Sequence, residues 1–496
     1  MHHSSRKAAA TRAVSPPEES SSYKWLALSC TSLGGLMATL NGGTLIIALP
    51  DLMKALHAGL LSIVWVLIIY QLVQTVVVLT AGRIADMIGR KTLYVAGFAL
   101  FGVSAAAAGF ASNAGQLIVA RAVQGAAGAF MVANSSAIVT DAFPKKQLGL
   151  ALGTNMIIIA AGAMLGTILG GWLVSLGWRW VFWFNIPLSL IGTVWAAVNL
   201  REQSEREKGV RPDFAGTLTY MVAMTGLLVA LTEGGFIGWG TPVVIVGLVA
   251  ALAGFAAFAR IESRAAYPMI DVTLFRHHGF TLGNIAVFLS AIARNGVTFL
   301  FVLYFQGPLG YDALRAGLLL LPYAASMLVV SPIAGILADR TGSRGLTIAG
   351  LAVSTVGLAG MAFIGLHTAY LYVALTMVVL GIGSGLFNSP NTRTIMMSVP
   401  PHRRGIAAGT RSMLLSSGGV VSTALVLVFI TSRIDPQDLL SIFTGVTTGI
   451  APAAQGHFIS GLRESFAVMV VFSLLSLGVG MIPHQGETRA EEEATS

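Results

Sequence analysis

Arg121, Arg294 and Arg411 each stand inside a long apolar run, and they are the residues here most able to do chemistry. A charge in such surroundings must face a cavity or a partner. Neutral polar groups recur in similar runs: Asn41, Gln71, Gln74, Gln124, Asn134, Asn155 and Asn391. Acids do not, since Asp141 and Glu233 sit near the ends of runs and Asp312 lies outside them. A cavity lined this way favours anionic, zwitterionic or neutral amphiphiles over multivalent cations. The competing reading is that Arg294 and Arg411 only tie helices together. Nothing suggests a reactive centre. His2–His3 and His277–His278 lack metal-ligand spacing, and Gly381, Gly383 and Gly385 have no following Lys-Ser/Thr to make a phosphate loop. The expectation is a protein with no metal, no cofactor and no enzymatic activity.

The elements that would position these residues follow from composition. Of 496 residues 55% are hydrophobic and only 10% charged, with 57 glycines and a mean hydropathy of +0.78. Soluble domains carry about 25% charged residues, so a soluble enzyme, a disordered chain and a nucleic-acid binder are excluded. Spans of ~20 apolar residues cross a bilayer. They read near 26–49, 61–82, 92–111, 116–138, 148–174 and 180–200, then 214–232 and 241–260. A last set follows near 279–305, 316–338, 346–366, 369–389, 405–431 and 464–482. Tyr23–Trp25 looks like an interfacial anchor. Residues 1–24 form a polar N-terminal segment and 484–496 a solvated acidic tail.

Charge orients the spans. Only Lys54, Arg179, Arg315, Arg433 and Arg463 fall on one face, whereas most of the 30 Lys+Arg fall on the other. The positive-inside rule makes that basic face cytoplasmic, with both termini inside. The net charge of +9 then reflects orientation. Cys30 stands alone, so no internal disulfide can form.

The chain also repeats. Gly82, Asp86, Gly89, Arg90 and Lys91 follow the second span; Gly335, Asp339, Gly342 and Arg344 recur 253 residues later. Pro144-KKQLGLALGT matches Pro400-PHRRGIAAGT, placing Gly149, Gly153 and Thr154 on Gly405, Gly409 and Thr410. Both pairs lie on the basic face, so the repeats are parallel, as for half-bundles related by an axis along the membrane normal. The spans near 214–232 and 241–260 have no counterpart. A carboxylate at 86 can cap a neighbouring helix and pair with Arg90 as a latch that breaks when half-bundles rock. Gly162, Gly166 and Gly170 make a stripe of small residues that permits close helix contact.

On these residues the chain resembles the major facilitator superfamily, in its fourteen-span drug:proton antiporter branch. The Gly82–Lys91 loop is similar to the superfamily signature. Arg121 with Gln124–Gly125 resembles its fourth-helix motif, and Trp178-Arg179-Trp180 with Asn185 and Pro187 resembles the branch marker. Gly162, Gly166, Gly170 and Gly171 resemble the antiporter motif, with Thr167 where a Pro usually stands. The resemblance implies a proton-coupling role for Arg121 and an Asp in the first span; this chain has Asn41, which cannot titrate.

The expected architecture is all-α and integral to the membrane. It has fourteen helices: a six-helix bundle over 25–200, a linker with two inserted helices over 201–265, and a second bundle over 266–483. The expected function is proton-driven export of small amphiphiles by alternating access, in a monomer of the plasma (inner) membrane. Its partners are the small-molecule substrate, protons and membrane lipids, with no nucleic acid. Export or flipping of one lipid or anionic metabolite is the alternative, and a membrane sensor without transport the reading from another class.

Overall fold

The computed structural model describes residues 21–144, 147–202, 213–265, 269–400, 403–432, 434 and 452–483. Nearly all of 1–24, the tail, and the side chains of Asp86, Asp339 and Thr167 lie outside the described residues. No strand occurs among them. Thirteen helical segments among them are long and apolar enough to cross a membrane. The helix at Leu148–Ser175 adds 28 residues at the place of the expected fifth span.

In chain order the first group is α1 (Ser21–Leu56), α2 (Leu60–Ile88), α3 (Arg90–Gly109), α4 (Ala114–Ala142), α5 (Leu148–Ser175), α6 (Trp180–Trp183) and α7 (Asn185–Asn199). The inserted pair is α8 (Phe214–Ile237) and α9 (Pro242–Glu262). The last group is α10 (His278–Arg294), α11 (Gly296–Gln306), α12 (Ala313–Leu319), α13 (Leu321–Thr341), α14 (Ser343–Met361), α15 (Tyr370–Met397), α16 (Arg404–Thr431) and α17 (Pro452–Met481). Four helices run well beyond the apolar runs: α1, α2 to Ile88, α15 to Met397, and α17. Helix α1 runs through Pro50 to Leu56, although proline removes a backbone donor. Helix α17 begins at Pro452, well before the expected 464, because its first turns carry Gln455, His457 and Arg463 and so read as too polar. Arg463 Nε donates to the Ile364 carbonyl at 2.9 Å, anchoring those turns.

Within the first group α1 packs on α5, α2 on α4, and α3 on α4 and α7. In the last group α10 packs on α16 and α17, and α15 on α13 and α14. The groups meet where α5 touches α12 and α13 and where α2 touches α16, while α8 lies against both α2 and α16. Exposed Val103, Val119, Val198, Val246 and Leu252 leave an apolar outer surface. Lipid satisfies such a surface and water does not. The chain is a multi-pass membrane protein.

The buried apolar residues divide unevenly along the membrane normal. At the face opposite the basic loops a single cluster joins both groups, including Leu45, Leu49 and Ile63 from one and Phe299, Leu303 and Leu427 from the other. Gln306 Nε2 donates across this seam to the Ile47 carbonyl at 3.2 Å. Toward the basic face the clusters separate: one holds Tyr23, Phe98 and Phe143, another Phe280, Phe387 and Ala407. The joint cluster also reaches toward the basic face through Tyr220, Met413 and Ile270, so α8 links the halves there.

Candidate functional site

Arg121 is fully buried on α4, and its guanidinium organises the first half. Nη1 donates to Asn41 Oδ1 on α1 at 3.1 Å and to Gln124 Oε1 at 2.6 Å. Nε donates to the Val66 carbonyl of α2 at 3.3 Å. The guanidinium carbon stands 4.3 Å from the Tyr70 ring centroid, a cation–π distance. Tyr70 accepts from Gln74 Nε2 at 3.4 Å. Arg121 thus meets three helices through neutral groups. Arg121 Nη2, Asn41 Nδ2 and Gln124 Nε2 have no hydrogen-bond partner. Buried unmatched donors are costly, and all three would suit an acceptor-rich guest.

Other predicted polar residues do different work. Ser32 Oγ donates to Asn155 Oδ1, and Asn155 Nδ2 donates to Ser135 Oγ, both at 3.2 Å, stitching α1, α5 and α4. Asn134 bonds back to Phe130 on its own helix, and Asn391 Nδ2 donates to the Gly283 carbonyl at 3.3 Å. Gln71 is half-buried.

In the second half, α10 ends at Arg294 and α11 starts at Gly296, so the span breaks at Asn295. Ser422 Oγ of α16 repairs the break, accepting from Gly296 N at 2.9 Å and donating to the Ile292 carbonyl at 2.6 Å. Broken helices are tolerated at membrane depth only where such partners exist. Arg294 is buried; it donates to the Ser290 carbonyl and to Asn388 Oδ1 at 3.3 Å, and stands over the Phe387 ring. Arg411 on α16 lies within electrostatic reach of Arg294, and its Nε has no hydrogen-bond partner. No ion pair to either is found among the described residues.

Reading the sequence missed Tyr70, Asn388 and Asn295. A signal existed for Asn295: Asn41-Gly-Gly-Thr44 recurs as Asn295-Gly-Val-Thr298, 254 residues on, within the spacing of the other repeats. Asn41 is buried, whereas Asn295 is exposed beside Gly419.

The glycine stripe separates into two jobs. A Cβ at Gly162, Gly166 or Gly170 would strike α1 between Leu36 and Thr44, the stretch that carries Asn41. A Cβ at Gly171 would instead strike the backbone of Ala313 and Leu314, across the seam between halves. Gly171→Val should therefore loosen the seam, since overpacking costs about 1–3 kcal/mol. Maleimide labelling of an Ala316→Cys reporter, buried on α12, should speed up severalfold in the Gly171→Val background. Unchanged labelling would show that this contact does not hold the seam.

At the basic face Arg90 Nη1 pairs with Asp141 Oδ2 at 2.6 Å, and its backbone N donates to Glu202 at 2.9 Å. Gly89 takes a φ of +107°, which favours glycine. The second repeat changes the chemistry at matching places: Arg393 Nη1 donates to Ser343 Oγ at 3.0 Å, and Arg344 to the Met481 carbonyl at 3.1 Å. Lys91 is also on this face.

A lipid-facing helical bundle with polar clusters buried between its helices has the architecture of a membrane transport protein. The chain belongs to the Major Facilitator Superfamily, whose pattern matches residues 31–423. It is 33% identical to the multidrug resistance protein Stp of Mycobacterium tuberculosis over 81% of this chain and 74% of that one. It is 28% identical to the tetracenomycin C resistance and export protein of Streptomyces glaucescens, over 95% and 94% of the two chains. A solved bacterial homologue of the human lysosomal transporter Spinster shares the fold, with TM-score 0.64, 16% identity, and coverage of 93% and 97%.

Proposed function

We propose that the protein exports small amphiphilic molecules across the plasma membrane by proton-driven alternating access. The observation that carries this reading is the buried polar cluster around Arg121, held inside a lipid-facing bundle whose two halves share one apolar seam. The family and the resistance and export names of its relatives support the direction. The two arginine clusters, without a facing acid among the described residues, support anionic, zwitterionic or neutral guests over divalent cations.

The Gly82–Lys91 motif, which closes α2 and opens α3 about Gly89, acts as the gate in this reading, with Asp86 and Arg90 as its charged members and Asp339 and Arg344 as the second copy. Efflux of fluorescent dyes and drugs from cells expressing the protein, with and without an uncoupler, tests the whole. Export that stops with the uncoupler is expected; no export of any tested compound rejects the reading. Asp86→Asn should lower efflux at least tenfold at unchanged membrane expression, because a contact made in one conformation disappears. Normal efflux by that variant would remove Asp86 from the gate.

A further inference from the structure

We propose that Asp213 and Glu262 hold one proton between them, making the inserted helix pair a proton-binding site. The two residues meet where α8 begins and α9 ends. Asp213 caps α8: one carboxylate oxygen accepts from Gly216 N at 2.7 Å. Glu262 is 4% exposed, and its Oε2 accepts from Ile270 N at 3.2 Å. The remaining oxygens, Asp213 Oδ2 and Glu262 Oε1, are buried and have no hydrogen-bond partner. They flank one spot, since a Cβ on Gly216 would lie 2.7 Å from the first and 2.9 Å from the second. Only glycine leaves room there.

Two orphaned carboxylate oxygens, buried around one spot, are unstable if both are charged. One proton resolves both problems, because one carboxyl then donates an O–H to the other, as in carboxylate dyads. The charge count agrees. Arg83 of α2 acts electrostatically on Glu262, one positive charge near two carboxylates. Asp271, on the segment after α9, is committed to Arg403 at 2.7 Å and to Thr273.

The location gives the proton leverage. One turn into α8, Thr217 bonds Thr80 of α2 at 2.6 Å; almost a turn later, Tyr220 bonds Ser417 of α16 at 2.6 Å. The acid pair therefore anchors a helix that grips both halves, and Arg83 belongs to the Gly82–Lys91 motif at the end of α2. Loss of the proton leaves an extra negative charge at the grip and beside the gate. Asn41 cannot carry a proton; this pair can.

Infrared difference spectroscopy on the full chain in lipid nanodiscs tests the site without any substrate, so its outcome is independent of the export reading. Wild type should show a protonated-carboxyl band persisting well above the ~4 at which ordinary carboxylic acids ionise, titrating as one proton per chain. Glu262→Gln and Asp213→Asn should each remove it, because an amide N–H replaces the shared proton. If one variant fails to fold, the other reads the same site. A missing wild-type band, or one that survives both substitutions, overturns the proposal. So does a band that moves when sodium is exchanged for choline, which would mean a held cation.

Discussion

Arg121→Ala should abolish efflux, and Arg121→Lys should be as damaging. The guanidinium reaches Asn41, Gln124 and the Val66 carbonyl from Nη1 and Nε while lying against the Tyr70 ring. An ammonium is a point charge that cannot reproduce that planar fork. Hydrogen bonds to a charged group contribute about 1.5–3 kcal/mol each, so losing even one corresponds to a fall of roughly tenfold or more. Dye efflux normalised to membrane-inserted protein measures this. If Arg121→Lys keeps most of its activity, positive charge alone suffices and the fork has no role.

Asn41→Asp should move selectivity toward cations without abolishing transport. Asn41 Oδ1 already accepts from Arg121 at 3.1 Å, and the adjacent Nδ2 has no partner. A carboxylate there removes the orphan donor and adds one negative charge to a cluster that has none. At an effective dielectric near 20, one charge about 10 Å from a cationic guest contributes ~1.7 kcal/mol. The preference for a divalent over a matched monovalent dye should rise about tenfold, more so at alkaline external pH, where the new acid is ionised. Efflux of the dye pair at two external pH values measures it. Equal ratios in wild type and Asn41→Asp would mean that position 41 does not set charge preference.

Much of the architecture was legible in one dimension because a bilayer imposes a one-dimensional rule. Each span must be apolar for about the thickness of the hydrocarbon, and loops must sort their Lys and Arg by side. Parallel copies of the Gly82–Lys91 motif point to two halves. Segments that obey other rules were misjudged. The first turns of α17 are polar yet helical because Arg463 reaches the Ile364 carbonyl, a partner remote in sequence.

Residue types alone require that Arg121, Arg294 and Arg411 be sheltered, forbid Asn41 to titrate, and let the glycine stripe pack closely. Those are properties of residue types and local spacing. Only the tertiary structure decided which partners shelter them. Asn41 lies 80 positions from Arg121 yet accepts its hydrogen bond. Gly171 continues a stripe that faces α1 but itself meets α12 across the seam. Asp213 and Glu262 sit at opposite ends of the inserted pair in sequence, and each looks like an ordinary residue at a helix end. They become one site because α8 and α9 run antiparallel, bringing the start of one beside the end of the other, and because Gly216 lacks the atom that would part them.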